Sequence, residues 1–158
     1  RFKCDWSSDV CSSDLAAIGG GAALARPGLL VFALLYAIGA HGIMTLNDFK
    51  SVQGDRRMGV ASLPVQLGIE RAGLLACVVM SVAQVAVIAL LIEWDRSLHA
   101  AVITASLLAQ FVLMRRFLAR PVERDVWYNA VGVPLYVLGM LVSALAVRSF
   151  YLSAQVIV

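Results

Sequence analysis

The chain has 158 residues, 61% of them hydrophobic and 15% charged, with a net charge of +3 and a mean hydropathy of +0.84. A soluble domain is nearer half apolar and a quarter charged, so this composition excludes an ordinary water-soluble globule and points to the bilayer. The cations gather at the ends of apolar runs and form no stripe that could track nucleic acid, and Cys4, Cys11 and Cys77 have neither metal nor disulfide spacing.

The chain opens on RFKCDWSSDVCSSDL, which is polar, repeats Ser-Ser-Asp and meets the apolar segment at Ala16 with no linker. Asp5 to Leu15 resembles the translation of a sequencing-library adapter. Residues 1–15 are therefore read as foreign and carry no functional argument. The native chain is expected to start near Ala16, where AAIGGGAALA reads as the tail of an earlier helix or its exit loop.

Four apolar runs follow, predicted as membrane-spanning helices over about 27–46, 71–93, 97–116 and 128–148. Each supplies about 20 residues, enough for a helix to cross roughly 30 Å of hydrocarbon. Helices are the natural form because backbone groups in lipid must bond internally. Pro27 suits a first helical turn, and Gly39 and Gly42 would let a neighbouring backbone approach. Gln84 and Gln110 read as hydrogen-bonding groups between helices, and Trp127 and Tyr128 as interface anchors. The fold class is thus all-α and integral to the membrane. One side carries Lys50, Arg56, Arg57, Arg115, Arg116, Arg120 and Arg124, and the other Arg26, Arg96 and Arg148. The positive-inside rule assigns the first side to the cytoplasm. The stretch from Arg115 to Arg124 could attract anionic headgroups or help recruit an anionic substrate.

The segment between the first two spans is long for a connection and dense in charge, LNDFKSVQGDRRMGVASLP. Asp48 and Asp55 are seven apart, so a helix continuing past Asn47 would place both on one face, with Ser51 on the same stripe. Two carboxylates, the Asn47 amide oxygen and the Ser51 hydroxyl are hard donors that suit Mg²⁺. Lys50, Arg56 and Arg57 could meet phosphate charge. The plain alternative is a charge cluster that only fixes topology. His41, seven residues before Asp48, falls on the same helical face. It could approach a pigment or simply pack between helices.

The segment from Asn47 to Gly68, NDFKSVQGDRRMGVASLPVQLG, resembles the second Asp-rich motif of the UbiA-type intramembrane prenyltransferases. The lead-in YAIGAHGIMTLNDFK and the closing WYNAVGVPLYVLGMLVSALAVRSF are similar to the chlorophyll and bacteriochlorophyll synthases, the lead-in more to the bacterial branch. The resemblance covers about Ala16 to Phe150. It implies four helices of a nine-helix bundle around a cavity open to lipid, with residues 16–158 as its C-terminal part. It also implies Mg²⁺-assisted esterification of (bacterio)chlorophyllide by geranylgeranyl or phytyl diphosphate.

On that resemblance Asp48 and Asp55 match metal-site aspartates, and Ser51 stands where many superfamily members carry a further Asp. His41 and Tyr128 are the candidates for pigment contact. The setting implied is an inner membrane, cytoplasmic or intracytoplasmic and photosynthetic, with the motif loop on the cytoplasmic side. The first Asp-rich motif is missing before Asn47, so these residues are not expected to be active alone. A quinone or haem prenyltransferase, or a non-enzymatic pigment-binding subunit, are the alternatives.

Overall fold

The structure, a computed structural model, describes residues 27–156. The stretch 1–15, the Ala16–Ala25 segment and Arg26 lie outside the described residues. By contact the chain divides into two units, Arg1–Ala33 and Leu34–Val158. The first contributes only the opening residues of one helix to the described set. Everything that follows about packing concerns the second unit.

Six α-helices and one 3₁₀ turn follow in chain order: α1 Pro27–Asn47, the turn Asp48–Lys50, α2 Val52–Met58, α3 Leu63–Leu67, α4 Ile69–Glu93, α5 Ser97–Ala119 and α6 Pro121–Val156. No strand occurs among the described residues. Four stretches are long and apolar enough to cross a membrane: Leu30–Lys50, Ile69–Glu93, Ser97–Ala119 and Pro121–Ser149. The protein is all-α and integral to the membrane.

The lipid-facing and protein-facing residues sort as that setting demands. Leu34, Val82, Leu98 and Leu141 are exposed, whereas Met80, Leu91, Ile103 and Phe117 are buried between helices. Lipid tails are as apolar as leucine, so burial alone gives these helices little reason to associate. Close packing and interhelical hydrogen bonds hold them together.

Helix α5 packs most extensively against α6, next against α4, and α4 also meets α6. Between α4 and α5 the chain reverses through Trp94–Asp95, with Asp95 at φ 55. Asp is one of the few residues that adopts that conformation at modest cost. The fourth span was expected from about 128. Its helix instead begins at Pro121, where a missing N–H costs nothing and φ is already helical. The helix is continuous through Pro134.

Two polar clusters cross-link the helices. The Tyr36 hydroxyl on α1 donates to the Gly139 carbonyl on α6 (2.8 Å) and lies against the Ser143 hydroxyl. Ser143 itself donates to the same carbonyl (2.9 Å). Tyr136 returns a hydrogen bond to the Tyr36 carbonyl (3.3 Å), and the two rings meet edge to face at 5.7 Å. That approach requires a glycine at position 39, because a Cβ there would overlap the Tyr136 phenol. In the second cluster the Gln110 amide on α5 donates to the Tyr128 hydroxyl on α6 (3.3 Å).

Candidate functional site

The acidic residues lie where the first span ends, and their local backbone differs from the straight helix that the seven-residue spacing suggested. Helix α1 stops at Asn47, Asp48–Lys50 form a 3₁₀ turn, and α2 starts at Val52. The Ser51 N–H and its hydroxyl both reach the Asp48 carbonyl at 3.0 Å. That side-chain bond competes with the regular helical ladder and favours the tighter turn.

Phe49 fixes the turn against the bundle. It is buried, and its ring lies 6.0 Å from that of Phe117. Phe117 in turn stacks on Tyr128 at 4.9 Å. This ladder of three aromatic rings joins the turn to α5 and α6 and sets the acidic segment on a rigid base.

Asp55 is the hub of the segment. Its Oδ2 accepts from the Ser62 hydroxyl (2.8 Å) and is within 3.0 Å of the Ser51 hydroxyl. Its main-chain N–H donates to the Ser51 carbonyl (2.8 Å), and its own carbonyl accepts from the Val60 N–H (2.9 Å). Gly59 makes this fold-back achievable by closing α2 at φ 70, a left-handed conformation that a side chain would strain. Ser62 precedes α3, yet its hydroxyl makes no cap bond to that helix. It is given to Asp55 instead. The spacing of Ser62 from Asp55 is the same seven residues that separate Asp55 from Asp48. Because the loop reverses between Asp55 and Ser62, helical periodicity could not reveal the contact.

Asp48 is half-buried and has no protein hydrogen bond to its carboxylate among the described residues, and Asp55 Oδ1 has none either. The two carboxylates carry like charge seven residues apart, which a bound cation would offset. No group of three or more His, Cys, Asp and Glu gathers among the described residues. Two carboxylates with free oxygens nevertheless fit a hydrated divalent ion. Mg²⁺ characteristically takes one or two protein carboxylates and fills the rest of its shell with water and phosphate oxygens.

The other expected residues are placed as follows. Asn47 and Ser51 are exposed beside the turn. Lys50, Arg56 and Arg57 are exposed, and among the described residues none of them is ion-paired. Arg56 lines a cleft of about 510 Å³ together with Arg71 and Arg120. His41 is exposed on α1, with its carbonyl accepting from the Thr45 hydroxyl (2.8 Å). Tyr128 is 0% exposed, stacked on Phe117 and hydrogen-bonded to Gln110.

Comparison with known proteins agrees with the motif. The UbiA prenyltransferase family matches residues 13–131, a range that begins inside the stretch set aside as foreign. The "Bacteriochlorophyll synthase 33 kDa chain" of Cereibacter sphaeroides is 58% identical over 120 residues, covering 76% of this chain and 40% of that protein. The "Bacteriochlorophyll synthase 34 kDa chain" of Chloroflexus aurantiacus is 45% identical over 120 residues, 76% of this chain and 39% of that protein. The "Chlorophyll synthase, chloroplastic" of Arabidopsis thaliana is 40% identical over 121 residues, 76% and 31%. This chain thus spans well under half the length of the curated relatives it matches. No solved structure matches. An acidic turn at the end of a membrane span and a family match over most of the chain lead to one conclusion: the chain belongs to the UbiA prenyltransferase family.

Proposed function

We propose that the protein to which these residues belong is a (bacterio)chlorophyll synthase. It transfers a geranylgeranyl or phytyl group from its diphosphate to the propionate carboxylate of (bacterio)chlorophyllide. Residues 16–158 are its C-terminal part, with the motif loop on the cytoplasmic side of an inner, photosynthetic membrane. The observation that carries this reading is the pair Asp48 and Asp55 at the end of the first span. Asp55 is clamped by two serines, and unpaired cations stand beside the pair. The identity to proteins named bacteriochlorophyll synthase supports the pigment branch over a quinone or haem acceptor.

In this mechanism Asp48 and Asp55 would hold Mg²⁺, with Asn47 and Ser51 completing the protein's share of ligands. Mg²⁺, when bound, neutralises charge developing on the leaving diphosphate. Ser62 orients the Asp55 carboxylate, the role an outer hydrogen-bond partner plays for a ligating carboxylate. Lys50, Arg56 and Arg57 meet the remaining phosphate oxygens. The allylic C–O bond breaks with its electron pair leaving on diphosphate. An oxygen of the chlorophyllide carboxylate then forms the new bond to the prenyl C1. That carboxylate is already ionised near neutral pH, so no protein base has to remove a proton. His41, exposed on the same span, and Tyr128, buried beneath the acidic turn, are the candidates for pigment contact.

The test uses the full-length protein in membranes with chlorophyllide and geranylgeranyl diphosphate. Asp48→Asn and Asp55→Asn should each lower Mg²⁺-dependent ester formation by about 10²–10³ while the protein stays folded. Normal turnover in both variants would overturn the assignment.

A further inference from the structure

The corner where α5 ends and α6 begins holds Arg115, Arg116, Arg120 and Arg124 within ten residues, and the proposed transfer reaction uses none of them. Their charges are unevenly spent. Arg120 pairs with Glu123 at 3.3 Å, in an exposed contact that screening makes weak. Arg124 donates to the Arg116 carbonyl (2.7 Å) and so closes the C-terminal end of α5. Arg115 and Arg116 are exposed, and among the described residues neither has an anionic partner.

Two concavities meet these free guanidinium groups. Among the described residues, Arg116, Arg124 and Trp127 line a cleft of about 490 Å³. Trp127 is 36% exposed, six residues after α6 begins at Pro121, and is of the residue type that anchors at membrane interfaces. Arg115 stands at the edge of an apolar groove of about 230 Å³ between α4 and α5. The groove is walled by Leu74, Val78, Val82, Phe111 and Leu118. Helices α4 and α5 are antiparallel, so the groove runs inward from the same membrane face that carries the arginines. Leu74 to Val82 spans nine residues, about 12 Å along the helix axis. That length accommodates the upper half of an acyl chain.

We propose that this corner is a binding site for an anionic phospholipid. One acyl chain lies in the α4–α5 groove, its phosphate meets Arg115 and Arg116, and Trp127 packs at headgroup depth. Charge complementarity selects the occupant: the unpaired Arg115 at the edge of an apolar groove, with Arg116 next to it in the chain, suits a molecule with a phosphate on one end and a hydrocarbon on the other. A bare phosphate has nothing to place in the groove, and a zwitterionic lipid brings its phosphate together with a cationic choline that offsets the attraction to the arginines.

The test embeds the full-length protein in nanodiscs containing equal phosphatidylglycerol and phosphatidylcholine and counts the lipids that stay bound by native mass spectrometry. Phosphatidylglycerol should be retained preferentially. The double variant Arg115→Gln/Arg116→Gln should lose that preference, by about fivefold for each guanidinium removed. Arg148→Gln, exposed near the far end of α6, should leave it unchanged. Glycerophosphoglycerol, the headgroup without tails, should fail to displace the bound lipid. The proposal is overturned by equal retention of the two lipids, by a preference that survives in the double variant, or by retention of neither lipid because other parts of the protein cover the groove. Displacement by the headgroup alone would overturn it too, by identifying a phosphate site in place of a phospholipid site.

Discussion

Two polar regions of this protein look alike in composition and behave differently. The segment from Asp48 to Ser62 and the interior cluster around Tyr36, Tyr136 and Ser143 both place hydroxyls and carbonyls next to a helix end or a glycine. In the interior, hydroxyls are donated to carbonyls of another helix, and the rings pack on each other. In the acidic segment, two hydroxyls converge on one oxygen of Asp55, while Asp48 and the neighbouring cations keep free valences. A polar network that satisfies itself holds helices together. One that orients a charge and leaves it unsatisfied is built to receive something.

The sharpest way to break the comparison is to neutralise the receiving side. Asp55→Asn keeps the shape and an acceptor for both serines but removes the charge. Ester formation by the full-length protein should fall by about 10²–10³, the usual loss when one electrostatic group at a reacting centre is deleted. The unfolding midpoint in detergent should hardly move. A variant that unfolds early yet turns over normally when folded would reverse the roles of the two regions.

Next comes the interior. Gly39→Val drives a side chain into the Tyr136 phenol, and overpacking of this kind costs about 1–3 kcal/mol. The denaturation midpoint should drop, with both Asp carboxylates and their serines untouched. A smaller effect separates orientation from charge. Ser62→Ala removes the 2.8 Å hydrogen bond to Asp55 but leaves Ser51 in reach. Losing an outer hydrogen-bond partner weakens a metal site about 10–100-fold. Activity should therefore fall at low Mg²⁺ and recover partly at high Mg²⁺, which a purely structural serine would not permit.

How much of this was legible depended on the range of the interaction. The spans were readable because bilayer crossing needs only length and apolarity, both local properties. The start of α6 was readable too, in Pro121, but the apolar run masked it, and Tyr128 was taken for an interface residue when it lies inside the bundle. The acidic pair was visible from charge density at a span end. Its geometry was not, because the Ser51 hydroxyl tightens the backbone away from a straight helix, and the turn is then held on the bundle by Phe49 meeting Phe117, sixty-eight residues away in sequence. Likewise, Ser62 meets Asp55 only after Gly59 reverses the chain. Periodicity describes a straight helix and carries no information about a loop that folds back on it.

The mildest test sits between the two regions. Gln84 on α4 is 0% exposed, its amide lies over Gly139 beside the Tyr36 cluster, and neither amide atom has a partner among the described residues. A buried amide without a hydrogen bond costs about 1–3 kcal/mol by mutational measures. Replacing the whole group with an apolar one of similar size removes that cost, so Gln84→Leu should be neutral or raise the unfolding midpoint slightly. Ser143→Ala is the matched control: it takes a hydroxyl away from Tyr36 and should cost about 0.5–1 kcal/mol, the scale of hydrogen bonds between membrane helices. If Gln84→Leu instead destabilises more than Ser143→Ala, a water or a group from the rest of the protein bonds that amide. The interior would then hold a receiving site of its own, and the line drawn between the two regions would have to move.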